Sequence, residues 1–198
     1  MKVNYQLETD RCIAGLSGEK PTLLLQSCCG PCSSYVLEYL TRYFDVTVLY
    51  YNPNIQPEEE YEKRLHYQRE VLKHIPAKLL DCAYDGAAFQ SVAAGYETEP
   101  EGGERCTRCF RLRLEETARR ARDGGFAWFC TTLTVSPHKD PVRINTIGQE
   151  LAARYGVRWL PCDFKKRDGY LRSIRLAEEY GLYRQDWCGC AYSHEQAR

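Results

Sequence analysis

The sequence has no excess of either charge. Its 27 basic residues match its 27 acidic ones, so no global field draws the molecule onto nucleic acid or an anionic membrane. Any such contact needs a local patch. It also has no apolar run of the roughly 20 residues that a membrane-spanning helix requires, and the opening MKVNYQLETDRC lacks the apolar core of a signal peptide. Both absences lead us to expect a soluble, cytoplasmic protein with no membrane partner. There is no internal repeat, and no low-complexity tract beyond the acidic, Gly/Pro-rich stretch GYETEPEGGER at 95–105, which reads as a surface excursion. Nor does a Gly/Ser-rich phosphate loop follow the first strand candidate: cysteines occupy that place, and GLSGEK at 15–20 precedes the strand. A PP-loop ATP pyrophosphatase needs that loop, so its chemistry is disfavoured here.

What the sequence does have is cysteine, 11 in 198 residues. A chain of this length can build a core without covalent staples, and cytosolic thiols stay reduced, so metal binding or catalysis is the better default than a disulfide framework.

Five short apolar or β-branched runs, at 22–26, 45–51, 77–82, 126–133 and 157–164, alternate with helix-patterned stretches at 31–43, 57–74, 86–94, 107–122, 141–155 and 168–180. The alternation predicts a Rossmann-like α/β fold: a doubly wound parallel sheet of about five strands in one domain over 1–198, with residues 1 to about 20 as an extension. In an order 3-2-1-4-5 the chain reverses between the first and fourth strands, and ligands gather outside the carboxyl ends there. Ser27-Cys28-Cys29-Gly30-Pro31-Cys32 directly follows the first strand candidate.

The cysteines form three groups: Cys28-Cys29-x-x-Cys32, Cys106-x-x-Cys109 and Cys188-Gly189-Cys190. Adjacent Cα atoms lie about 3.8 Å apart, below the usual disulfide range of about 4.4–6.8 Å, so Cys28 and Cys29 suit a metal better than each other. Cys106 and Cys109 are expected on one face of a helix's first turn, where the helix terminus, Arg105 and Arg108 favour thiolates. Two such elements signal zinc or an iron–sulfur cluster, with a structural zinc site as the plain alternative. Cys188 and Cys190 make a reversible dithiol if Gly189 bends the backbone, or two further ligands otherwise. Cys12, Cys82, Cys130 and Cys162 are isolated and read as buried small hydrophobes. Asp81, Asp85 and Asp163 follow strand candidates, where a carboxylate serves a second metal, a proton transfer or simply a helix cap.

The letters CGPC match the thioredoxin redox site. A second CxxC, the Ser27-Cys28 entry and the five strand–helix units weigh against a thioredoxin-like dithiol oxidoreductase. A zinc-stabilised RNA-binding module is the non-enzymatic alternative.

From about Gln26 onward, CCGPC, YYNPNIQPEEEYEKR, EPEGGERCTRCFRLRL, TTLTVSPHKD, IGQELAARYGV, DFKKRDGYLRS and LYRQDWCGC occur in this order. Together they resemble the QueH family of epoxyqueuosine reductases, the cobalamin-independent type. The resemblance implies a Rossmann-like domain of the adenine-nucleotide hydrolase class. It also implies an oxidoreductase that converts the epoxide of epoxyqueuosine at the wobble position of tRNA to queuosine, the last step of that pathway, with an electron donor it does not identify. It implies a 4Fe-4S cluster on Cys28, Cys29, Cys106 and Cys109, a redox-active pair at Cys188 and Cys190, and an additional iron near Cys32, with Asp85 as its companion. For tRNA, Arg105, Arg108, Arg111 and Arg113 and then Lys165, Lys166, Arg167, Arg172 and Arg175 are the expected basic patch, with Tyr170 and Trp187 for stacking on an unpaired base.

Overall fold

Thr22–Gln26 (β1) runs through the middle of the sheet, and its Leu23, Leu24 and Leu25 have no solvent exposure. Three consecutive buried leucines on a strand, where side chains alternate between faces, require cover on both sides. The computed structural model, which describes residues 3–196, supplies it. Asp45–Tyr50 (β2) and Trp128–Thr131 (β4) flank β1 in parallel; Lys78–Asp81 (β3) adds outside β2, and Arg158–Trp159 (β5) outside β4. The strands are all parallel, as the alternation predicts, and their order is β3-β2-β1-β4-β5.

Gly30–Leu40 (α2) packs against Glu58–His74 (α3) and Gly169–Glu179 (α7), while Glu104–Asp123 (α5) packs against Gly86–Ala93 (α4) and Pro141–Tyr155 (α6). These helices bury the apolar strands, and each fully buried leucine contributes about 1.5–3 kcal/mol. Among the described residues no helix is long and apolar enough to cross a membrane.

Two strands are shorter than their apolar runs suggest. After β4, the Thr131 hydroxyl accepts the Leu133 N–H at 3.2 Å and the chain tightens into a single 3₁₀ turn, Leu133–Val135. After β5, Pro161 has no N–H for the ladder and the Cys162 N–H is taken by Asn145 Oδ1 at 2.9 Å, so pairing stops. In both places side chains take over backbone groups at the carboxyl edge that the ladder no longer pairs. Inside the expected extension lies a helix, Tyr5–Ala14 (α1), whose buried residues are Gln6 and Thr9; no apolar stripe announces it. The Thr9 hydroxyl donates to Pro161 O at 2.6 Å and ties it to the sheet's edge.

Candidate metal and redox site

α2 begins four residues after the end of β1, with Cys29 as its extended N-cap and Pro31 at its second position. A Cβ on Gly30 would stand 2.8 Å from Tyr67 O in α3, so only glycine lets α2 start this close to its neighbour. The tight entry folds Cys28, Cys29 and Cys32 together, with their sulfurs all within 4.8 Å of one another. Cys28 Sγ and Cys29 Sγ are 3.7 Å apart, so both are free thiols. Hydrogen bonds from Cys29, then from Cys32, hold Cys28 well below the ordinary thiol range, with Arg113 and the Thr132 hydroxyl adding to the effect. Cys29 is pushed up to about 12 by the same bond to Cys28, and Cys32 is raised further. One thiolate shared by three sulfurs is a ready acceptor for a thiophilic metal ion.

A buried polar chain lies beneath this triad. Thr131 Oγ1 donates to Gln26 Oε1 at 2.8 Å, Gln26 Nε2 to Asn52 Oδ1 at 3.1 Å, and Arg113 Nη2 to the same Asn52 oxygen at 2.6 Å. The chain joins β4, β1, the residue pair after β2, and α5. Thr132 completes the wall: its hydroxyl accepts the Cys28 N–H at 3.1 Å and donates to Cys28 Sγ at 3.3 Å.

α5 begins at Glu104, earlier than the expected 107, so Cys106 lies in its first turn and Cys109 in its second. The helix-terminus argument therefore does not reach Cys109, which is buried and pushed up to about 11 by that burial. Cys106 Sγ accepts the Gly102 N–H at 3.2 Å. Cys106, Cys109, Cys188 and Cys190 line one narrow crevice with Asn54, Phe89 and the side chains of Arg105, Arg113 and Lys139. Two expected tRNA contacts are corrected here. Arg105 and Arg113 are 1% and 4% exposed, so neither belongs to a surface patch. Arg105 Nη1 donates to the carbonyls of Tyr96 and Glu97 at 3.1 and 2.8 Å, and Arg143 Nη1 to Gly102 O at 2.6 Å. The acidic stretch at 95–105 lies largely on the surface, as expected, and these bonds pin it beside the site.

Gly189 has φ 98°, and a Cβ there would stand 2.8 Å from Ile55 Cγ1 and 3.1 Å from Arg64 Nη1. This turn leaves Cys188 half-buried and Cys190 buried, both as free thiols. Cys188 Sγ lies 3.0 Å from the Ser193 hydroxyl and accepts the Cys190 N–H at 3.5 Å. It is held well below the usual range, first by the Cys190 thiol and then by Lys139, while Cys190 is raised. Arg64 locks the segment from behind: it pairs with Glu60 at 2.6 Å and donates to Trp187 O at 3.3 Å.

A cleft of about 500 Å³ opens over both thiol groups, with Cys28, Cys32 and Cys188 in its wall and Tyr170, Trp187, Arg184 and His138 around it. Lys139 and Arg113 line the cleft and the crevice alike. Burial pulls the Lys139 pKa down, but the negative charges on Cys188 and on Glu101, 2.9 Å away, outweigh it and hold the ammonium at about 12.

The other expected positions are spread more widely. Asp85 is exposed and caps α4, its Oδ1 accepting the Ala88 N–H at 3.1 Å, and it is not among the grouped thiols. Asp81 pairs with Arg69 and Asp163 with Lys165. Cys130 and Cys162 are buried, as expected; Cys12 and Cys82 are only half so, and Cys12 lies on α1. Arg108 stacks on Tyr96, Arg111 pairs with Glu150, Arg167 with Asp10 and Arg172 with Glu38, leaving Lys166 and Arg175 as exposed cations of the second cluster. Asn52, Arg64, Glu101, Thr132 and Lys139 were not singled out from the sequence. All five nonetheless lie within the motif stretches YYNPNIQPEEEYEKR, EPEGGERCTRCFRLRL and TTLTVSPHKD.

Buried atoms without a partner show what the site fits. Among the described residues, Arg105 Nε and Nη2 and Arg113 Nε are buried donors with no acceptor. A metal group ligated by thiolates presents anionic sulfur to such donors. The donor set therefore fits a metal–sulfur group.

Comparison with known proteins agrees. Residues 23–196 match the family model described as epoxyqueuosine reductase QueH. The epoxyqueuosine reductase QueH of Streptococcus pyogenes is 39% identical over 98% of this chain and 80% of its own length. That of Staphylococcus epidermidis is 39% identical over 97% and 85%, and that of Thermotoga maritima 36% over 87% and 90%. With the thiol groups, the cleft and the matches in accord, the chain belongs to the epoxyqueuosine reductase QueH family.

Proposed function

We propose that this protein reduces the epoxide of epoxyqueuosine, carried at the wobble position of tRNA, to the alkene of queuosine. The observation that supports this best is the opening of one cleft onto both the Cys28–Cys32 triad and Cys188. Turning an epoxide into an alkene takes two electrons and two protons and releases water. In this reading Cys28, Cys29, Cys106 and Cys109 hold a 4Fe-4S cluster, Cys32 is the remaining thiol for an additional iron, and Cys188 with Cys190 is the redox-active pair. The cluster supplies one-electron transfer and the iron supplies a Lewis acid.

The chain's own residues do the rest. Oxidation of the Cys188–Cys190 dithiol to a disulfide delivers two electrons and two protons, the full requirement of the reduction. Gly189 gives the pair its bend and Arg64 fixes it against α3. Lys139, held protonated beside Cys188 and Glu101, keeps a positive charge and a donor at the seam of cleft and crevice. Tyr170 and Trp187 offer aromatic faces for an extruded base.

The test is an oxygen-free preparation analysed for iron and sulfide, followed by turnover on tRNA bearing epoxyqueuosine with a low-potential chemical reductant. Conversion to queuosine by an iron- and sulfide-loaded protein is expected. Zinc alone with no conversion would refute the reading.

A further inference from the structure

We propose that Arg113 is the fixed positive charge that sets the reduction potential of the metal–sulfur group lying between the Cys28–Cys32 triad and the Cys106–Cys109 pair, and that Asn52 holds it there. The inference rests on the iron–sulfur reading above and adds a positioning residue to it.

Arg113 is 4% exposed, yet it forms part of both the cleft wall and the crevice wall, so it stands between the two thiol groups. No carboxylate pairs with it among the described residues. Its Nη2 donates to the neutral Asn52 Oδ1 at 2.6 Å and its Nε has no acceptor. An arginine cannot shed its proton to escape burial, so its charge must be balanced by something the site receives.

Neighbouring arginines differ. Arg64 is balanced by Glu60, and Arg105 spends one nitrogen on backbone carbonyls of the 95–105 stretch, which a structural role explains. Arg113 donates to no backbone carbonyl among the described residues; its bond is to the Asn52 side chain. Asn52 is itself over-determined: its Oδ1 accepts from Gln26 as well, and its Nδ2 donates to Ser27 O at 2.8 Å. The guanidinium is thus held on the strand ends by a side chain that brings no negative charge of its own. Such a charge stabilises the form of the centre with one more electron and raises its potential.

The test compares wild type, R113Q, R113K and N52D, prepared without oxygen, assayed for iron and sulfide, and titrated potentiometrically with spectroscopic detection. R113Q is expected to disfavour reduction at least tenfold, a fall of 59 mV or more for one electron. R113K, which keeps a cation, moves the equilibrium less than tenfold. N52D keeps the guanidinium but faces it with a carboxylate, so it too falls at least tenfold, and it carries the test should R113Q fail to fold or load. A loaded R113Q or N52D shifted less than tenfold overturns the assignment, as does an R113K that falls as far as R113Q. Wild type devoid of iron overturns the iron–sulfur reading and this inference with it; loaded protein with unmoved potentials overturns this inference alone.

Discussion

Replacing Arg64 with methionine probes the scaffold of the dithiol without touching a sulfur. Arg64 and Glu60 are an i,i+4 pair on α3 with side chains only 2% and 13% exposed, joined at 2.6 Å. Removing one partner of such a buried pair strands the other's charge, and costs about 3–5 kcal/mol. The Trp187 carbonyl also loses its donor, a further loss of about 1 kcal/mol. For a chain of this size each kcal/mol moves the melting temperature by roughly 2–4 °C, so R64M should melt at least about 6 °C lower. Circular dichroism of the reduced protein measures this. Because Gly189 packs on Arg64, the loosened segment should also expose Cys190, now 6% accessible, to alkylation. The double variant R64M/E60M removes both charges and should recover most of the stability, since an apolar pair of similar volume tolerates burial. The reasoning is refuted if R64M lies within about 1 kcal/mol of wild type and Cys190 stays protected.

Metal-free reduced protein should lose stability above pH 9 through Cys109. Burial holds its folded pKa at about 11, above the ordinary 9.0 of a free thiol, so its contribution is complete below pH 9 and is lost as pH rises toward 11. Denaturant titrations of wild type and C109A should diverge by about 1 kcal/mol between pH 9 and 10; parallel curves would contradict the burial argument. In iron and sulfide analysis, C29S and C106S should lose most of the metal, whereas C130A, buried within β4, should retain it. For RNA, K166A/R175A should weaken tRNA binding and lower the slope of log affinity against log salt by roughly 1–2, measured by filter binding; an unchanged slope removes these residues from the interface.

The sheet was legible because it depends on pattern alone. Apolar runs alternating with helical ones fix a parallel sheet, and handedness rules leave few strand orders. α1 was not, because its fully buried residues are the polar Gln6 and Thr9, with only Cys12 and Ile13 bringing partly buried apolar surface to the core, and a threonine hydroxyl reaching Pro161 O leaves no periodic trace. The same division runs through the site. Thiols declare themselves by type and spacing, so Cys28, Cys29, Cys32, Cys106, Cys109, Cys188 and Cys190 could be named. Arginines do not, because an exposed arginine and a buried one are the same letter. Arg105 and Arg113 flank a cysteine pair on a helix rich in basic residues and read as surface; only the fold shows α5 turning both inward. Lys139 and Glu101 lie on separate loops that nothing in the sequence joins.

The distribution of paired and unpaired buried cations carries the electrostatic argument a step further. The molecule is neutral in total, yet Arg64, Arg105, Arg113 and Lys139 crowd the carboxyl edge of one sheet. Burying a cation is unfavourable unless an anion accompanies it. Two of the four have carboxylates, Glu60 for Arg64 and Glu101 for Lys139. Arg105 and Arg113 have no carboxylate ion pair among the described residues; they donate to neutral amide and carbonyl oxygens, and both keep buried N–H groups without an acceptor. Negative charge must therefore come from sulfur, and the two thiols held lowest are Cys28 beside Arg113 and Cys188 beside Lys139. Each half of the site thus has one thiolate to offer before any metal arrives. Cys29, Cys32, Cys109 and Cys190, all raised, release their protons to solvent when a metal ion competes for the sulfur, which makes metal capture the event that completes the charge balance of this edge.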